Sequence, residues 1–217
     1  MRKVASSFAV VLFAIAISAT SFGIASAEGG GYGGYGAYVG VFGGYTFSTD
    51  ASWKNDNTGS NYDLNIQDTW AVGVKFGYTP PQMKYFSFEL EYFYLNPDID
   101  RTVLPQSAID GNVKFNNFMY NVMARYPEGR FHPYFGAGIG FSYADASIQS
   151  TSPSGSASTS ENDTAFAWQI LAGVDIDLTN SWTADIGYRY FSTEPKLGNI
   201  SVEYKTSMVT LGLKYRF

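Results

Sequence analysis

Met208-Val-Thr-Leu-Gly-Leu-Lys-Tyr-Arg-Phe217 decides how the rest of this 217-residue chain is read. Every second residue from Val209 is apolar: Val209, Leu211, Leu213, Tyr215 and Phe217. Between them stand Met208, Thr210, Gly212, Lys214 and Arg216. Successive side chains of a β-strand point to opposite faces, so a period of two predicts a strand with one apolar and one polar side. The pattern runs to the last residue, a position that ordinarily frays. A strand of this kind needs partners.

The sequence upstream supplies seven. Trp70, Val72, Val74, Phe76 and Tyr78 alternate with Ala71, Gly73, Lys75 and Gly77, the sharpest case. Phe86–Tyr94, Asn117–Tyr126, Pro133–Tyr143, Phe166–Ile176 and Trp182–Tyr190 repeat the pattern. In the first segment, Ala37–Phe47, both faces carry aromatic residues and glycine, which leaves its facing open. The connections alternate in length. Pro80-Pro81, Pro127-Glu-Gly129 and Thr179-Asn-Ser181 mark tight turns, whereas residues 48–67, 96–112, 145–163 and 192–200 read as longer polar loops. Short and long connections segregated to opposite ends predict an all-β fold, an eight-stranded antiparallel up-and-down barrel.

Side-chain size says which face is outside. A soluble barrel turns its apolar face inward, whereas a transmembrane barrel turns it toward lipid. Here the apolar face is crowded with Trp, Tyr, Phe and Ile, and the other repeatedly offers Gly, Ala, Ser and Thr. An eight-stranded interior has room only for its own side chains. The bulky face therefore belongs outside. Aromatics gather toward the strand ends: Tyr78, Phe86, Tyr126, Trp182, Tyr215 and Phe217 at the short-turn end, Trp70, Tyr94, Phe118, Phe166, Trp168 and Tyr190 near the long loops. Two aromatic girdles around an aliphatic waist suit a bilayer. The barrel is expected to be transmembrane.

These residues resemble a known group. Tyr38-Val-Gly-Val-Phe-Gly-Gly-Tyr45, Pro133-Tyr-Phe-Gly-Ala-Gly-Ile-Gly-Phe141 and Tyr215-Arg-Phe217 are similar to the first, fifth and closing strands of the small eight-stranded outer-membrane barrels. That group includes the OmpA transmembrane domain, OmpX and the opacity-like porin family. The resemblance covers residues 37–217 and implies a Gram-negative-type outer membrane. It also implies that Tyr215 and Phe217 serve as an assembly signal, read by the outer-membrane assembly machinery after delivery by periplasmic chaperones.

The N-terminus agrees on the compartment. Arg2 and Lys3 precede an apolar run from Phe8 to Ile17 and an Ala25-Ser-Ala27 cleavage site, so residues 1–27 read as a signal peptide. Glycine- and tyrosine-rich residues 28–36 read as a flexible leader before the barrel domain, 37–217. Without Arg2 and Lys3, 12 basic residues face 19 acidic ones, which argues against a nucleic-acid partner. There is no cysteine, which excludes disulfides, thiol nucleophiles and Cys-ligated metals. The expected neighbour is outer-membrane lipid, around a monomer.

The inward face carries one ordered constellation: Lys75, Glu89, Glu91, Arg125, Asp175, Asp185, Arg189 and Lys214, with Arg216 at its margin. Lys75, Glu89, Asp175, Asp185 and Lys214 lie three or four residues from the short-turn end, about 10–13 Å along the strands. Mixed signs at one level predict interlocking salt bridges, since buried charges must be paired. A polar plug is the preferred reading, ahead of a pore lining or proton path. The one histidine, His132, lies beside Pro133 and reads as an interfacial turn residue. Ser150–Ser160 have no candidate base, and Asp98, Asp100 and Asp110 match no ion-binding spacing. No catalytic residue, cofactor or metal is expected. The resulting reading is a structural or surface-interactive barrel with four outer loops. A small passive channel and an adhesin are the alternatives, and any surface ligand is left open.

Overall fold

The computed structural model describes residues 35–55, 61–64, 67–104, 107–152, 155–197 and 200–217. The signal peptide and nearly all of the leader lie outside those residues. Eleven strands follow in order: β1 (Gly36–Asn55), β2 (Asn61–Leu64), β3 (Trp70–Thr79), β4 (Phe86–Leu95), β5 (Asp98–Leu104), β6 (Ser107–Arg125), β7 (Phe131–Ser152), β8 (Gly155–Asp177), β9 (Trp182–Thr193), β10 (Lys196–Leu197) and β11 (Ile200–Arg216). Eight of them form the wall, in the order β1-β3-β4-β6-β7-β8-β9-β11. β11 pairs antiparallel with β1, from Tyr38↔Arg216 through Tyr45↔Val209, and closes the barrel. The short strands β2, β5 and β10 pair with β1, β6 and β11. Closure removes the unpaired edges that a sheet cannot leave in lipid.

Alternation becomes an inside and an outside. Trp70, Val72, Val74, Phe76 and Tyr78 are exposed on the wall's outer surface, while Ala71 and Lys75 are buried. Large apolar groups outside and charges inside are the reverse of a soluble core. This is the arrangement of a barrel in lipid.

The short turns form where their residues dictate. Pro80-Pro81 leads into a single 3₁₀ turn over Pro81–Met83. Gly129 has φ +80°, a left-handed conformation that glycine adopts without a Cβ clash. Thr179 Oγ1 accepts from Trp182 N at 3.0 Å, and Leu178 N donates to Trp182 O at 2.8 Å.

The long connections differ from the sequence reading. β1 continues to Asn55, β6 begins at Ser107, and β11 begins at Ile200. Residues 145–152 and 155–163, expected as part of a long polar loop, extend the β7–β8 ladder to Ser152↔Gly155. Above the bilayer a strand needs no apolar face, so backbone pairing continues where hydrophobic alternation stops. The outer part of the wall is therefore ribbon rather than loop.

The expected interior of small residues with a few charges also needs correction. It holds on β7, where Gly136, Gly138 and Gly140 alternate inward. Toward the long-connection end, however, Phe42, Phe93, Phe115, Phe191, Tyr204 and Met208 form a buried apolar cluster inside the barrel. Glycines opposite large rings make this possible. Gly77 pairs with Tyr38, and a Cβ added to Gly77 would overlap the Tyr38 ring. Gly173 pairs with Tyr134, whose Oη would lie 2.6 Å from a Cβ there. Small residues on one strand house aromatic rings from the next.

Candidate functional site: the barrel interior

Parity sends Lys75, Glu89, Glu91, Arg125, Asp175, Asp185, Arg189, Lys214 and Arg216 inward from six strands, and all nine are buried. Five of them meet in one cluster. Lys75 Nζ lies 2.7 Å from Asp185 Oδ2. Lys214 Nζ lies 2.8 Å from Asp175 Oδ1, 3.3 Å from Asp185 Oδ2 and 3.5 Å from Glu89 Oε1. Asp175 and Asp185 are direct cross-strand partners, a like-charge pairing that would be unfavourable alone. Lys214 between them offsets that repulsion. Two phenols that the sequence reading did not list complete the cluster. Tyr38 donates to Glu89 Oε1 at 2.6 Å, and Tyr134 donates to Asp185 Oδ1 at 2.8 Å.

Arg189 and Glu91 form a separate tier toward the long-connection end. The guanidinium bonds both carboxylate oxygens, with Nη2–Oε2 at 2.9 Å, and Nη1 also donates to Gln169 Oε1 at 3.1 Å. Gln169 Nε2 donates to Asn121 Oδ1 at 2.6 Å. The guanidinium carbon lies 4.9 Å from the ring centroids of both Phe42 and Phe93. Arg189 thus joins the ionic interior to the aromatic one. Above it Phe93 meets Phe191 edge to face at 5.2 Å, and Phe115 stacks on Tyr204 at 4.7 Å.

At the short-turn end the centre is Asp177, which the sequence reading left out. It accepts from Thr183 Oγ1 at 2.7 Å, and Arg216 Nη1 lies 3.5 Å from Oδ1. His132 Nε2 lies 2.9 Å from Asp177 Oδ2, and His132 Nδ1 lies 2.9 Å from the Tyr126 carbonyl. His132 is fully buried, which corrects its reading as an interfacial turn residue. Pro133 suggested a turn, but β7 has already begun at Phe131, and parity carries the ring into the lumen. Arg125 is buried toward this same end, opposite Tyr134 in register.

Among the described residues no group of three or more His, Asp or Glu could hold a metal ion. Both nitrogens of His132 face oxygens, one of a carboxylate and one of a backbone carbonyl. The side chains of Asp98, Asp100, Asp110 and Ser150–Ser160 lie outside the described residues.

The outer surface carries the aromatic girdles. Tyr45–Trp70, Tyr92–Phe118 and Trp168–Tyr190 pair at 5.1, 4.9 and 5.6 Å toward the long connections. Trp182–Tyr215 and Tyr215–Phe217 pair at 5.0 and 5.5 Å at the other end. Tyr215 and Phe217 are exposed on the wall.

Comparison with known proteins gives a consistent result. Residues 7–217 match the outer membrane protein beta-barrel domain. Two uncharacterised proteins, from Brucella suis and Brucella melitensis, are each 28% identical over 158 residues, covering 62% of this chain and 55% of theirs. The chain thus spans about half the length of those relatives. Among solved structures, Neisserial surface protein A superposes with TM-score 0.52 at 16% identity, covering 83% of this chain and 97% of that one. OprG from Pseudomonas aeruginosa gives 0.54 at 16% identity, covering 86% and 98%. At that identity the likeness concerns the fold alone.

Proposed function

Because the chain belongs to the outer membrane protein beta-barrel domain family, we propose that it is a closed outer-membrane barrel that works through its wall and its exposed ribbons. The filled interior is the observation that carries this reading. Five buried basic residues (Lys75, Arg125, Arg189, Lys214, Arg216) face five buried acidic ones (Glu89, Glu91, Asp175, Asp177, Asp185) among the described residues. Conducting pores line their constriction with rings of one charge sign or with carbonyls. A balanced set, interlocked by Lys214 and Arg189 and roofed by Phe93, Phe191, Phe115 and Tyr204, is suited to filling a lumen.

The protein is not an enzyme in this reading: among the described residues His132 bonds a carboxylate and a backbone carbonyl, with no hydroxyl bonded to its ring. Residues 1–27 act as the export signal, and Tyr215 and Phe217 present the aromatic end that the assembly machinery reads. The outer ribbons of β6, β7, β8 and β11 are the surface left for a partner. A solute-swelling assay tests the closed lumen. Proteoliposomes carrying the barrel should swell no faster in small sugars or amino acids than empty liposomes. Rapid, size-dependent swelling would favour the passive channel instead.

A further inference from the structure

One ring ties two neighbouring short turns together. His132, the chain's only histidine, stands at the start of β7. Its Nδ1 lies 2.9 Å from the carbonyl oxygen of Tyr126, the first residue past β6. Its Nε2 lies 2.9 Å from Oδ2 of Asp177, the last residue of β8. The backbone repeats the tie: Asp177 N donates to Arg130 O, and Arg130 Nε donates to Asp177 O, each at 3.0 Å. Asp177 carries the connection on to β9 and the closing strand. Thr183 Oγ1 donates to its Oδ1 at 2.7 Å, and Arg216 Nη1 lies 3.5 Å from that oxygen.

The partners of the ring dictate its proton count. A carbonyl oxygen only accepts, so Nδ1 must carry a hydrogen. Asp177 already receives the Thr183 hydroxyl hydrogen and faces a guanidinium, which keeps it a carboxylate. A carboxylate also only accepts, so Nε2 must carry a hydrogen too. Turning the ring over would set carbons against both oxygens, so the same partners fix its orientation. A neutral imidazole has a single N–H and would leave one of these acceptors without its donor. Only the imidazolium completes both bonds.

The surrounding charges come from every element packed on the ring. Asp175 is its cross-strand partner on β8 and is held by Lys214 at 2.8 Å. Arg125 on β6 and Arg216 on β11 are buried at the same end, and Tyr134 follows on the same face of β7 with its hydroxyl on Asp185. Glu128 and Arg130 are exposed in the turn itself. Carboxylates and guanidiniums ordinarily keep their charge between about pH 5 and 8, whereas histidine ordinarily changes its own there.

We propose that His132 is a proton-operated clasp on the short-turn end of the barrel, closed when both ring nitrogens carry hydrogen and released when one is lost. Each bond needs its hydrogen, so the clasp contributes at low pH and fades as pH rises. Short turns of an outer-membrane barrel face the periplasm, which is the side whose pH the clasp reads.

Solution NMR of the whole untagged barrel in micelles, with ring-¹⁵N histidine, tests this directly, because one histidine gives one set of ring signals. At pH 6 both nitrogens should show imidazolium shifts, and by pH 8.5 one should have lost its hydrogen. A bare ring nitrogen at pH 6 overturns the proposal. Amide exchange supplies the structural readout. The Tyr126 and Asp177 amides bond Pro133 O and Arg130 O, and their protection factors should be about three- to tenfold lower at pH 8.5 than at pH 6, the scale of one buried hydrogen bond. Protection in β3 should stay constant. In His132→Gln, whose amide cannot be charged, the pH difference at Tyr126 and Asp177 should vanish. Equal protection at both pH values in the parent, or a difference that survives His132→Gln, overturns the proposal. If that variant fails to fold, the ring signals of the parent decide.

Discussion

Arg189 reaches Glu91 across the lumen from a strand that does not adjoin β4 in the wall, and bonds both carboxylate oxygens. It crosses between the ionic tier and the aromatic one. A buried pair broken on one side leaves an uncompensated charge, at a cost of about 3–5 kcal/mol, whereas replacing both partners with apolar groups is often near neutral. Arg189→Met alone should therefore lower stability by about 3–5 kcal/mol. Adding Glu91→Leu should recover most of the loss. Urea unfolding in lipid vesicles, followed by tryptophan emission, measures this double-mutant cycle.

Lys214 is the hub of the lower cluster, within 3.5 Å of Asp175, Asp185 and Glu89. Lys214→Met should leave Asp175 facing Asp185 across one ladder and cost several kcal/mol, about the penalty for breaking a buried pair. Asp175→Asn in the same background should restore part of it. The same vesicle unfolding assay reads both variants.

Close approach, rather than charge, governs Gly77. A Cβ there would overlap the Tyr38 ring, so Gly77→Val should destabilise the barrel by about 1–3 kcal/mol through overpacking. Truncation of the ring makes room but leaves Glu89 without its phenol donor. The Gly77→Val/Tyr38→Ala double variant should consequently recover only part of the loss. Full recovery would mean that the Tyr38–Glu89 bond contributes nothing.

The outer β7–β8 ribbon should be dispensable for folding. Ala146 and Glu161 are paired in register, so residues 147–160 can be replaced by an Asn-Gly turn joining them. The shortened barrel should keep its heat-dependent gel shift, since the ladder from Ala146↔Glu161 down through the wall is left intact and only the outer pairing, including that of residues 147–151 with β6, is lost. Loss of the gel shift would show that the ribbon supports the wall.

These contrasts mark how far the sequence could be read. Trp70–Tyr78 and Met208–Phe217 state their facing outright, because in lipid one side of a strand must be apolar throughout. The same logic reached the inward residues of each segment, including Lys75, Asp185 and Lys214. It ended where the bilayer ends. Phe115, Phe191 and Tyr204 fall beyond the recognised segments, so the aromatic roof of the lumen went unseen. In residues 145–163 neither face needs to be apolar, and ribbon looked like loop. Tyr134 falls on the small-residue face of its segment and Tyr38 in the segment whose facing is open, and nothing in a period of two shows that their hydroxyls complete a carboxylate cluster. Asp177 and His132 lie where strand meets turn, the hardest place to assign parity. Glycine opposite an inward ring was the available signal, as at Gly77 and Gly173.

The central claim is that the lumen is filled. Single-channel recording of the purified protein in planar bilayers tests it most directly, beside a Lys214→Ala/Arg189→Ala variant that opens both ionic tiers. The parent protein should show no steady conductance across the accessible voltage range, and the variant should show more frequent transient openings. Large, stable currents through the parent protein would contradict the account.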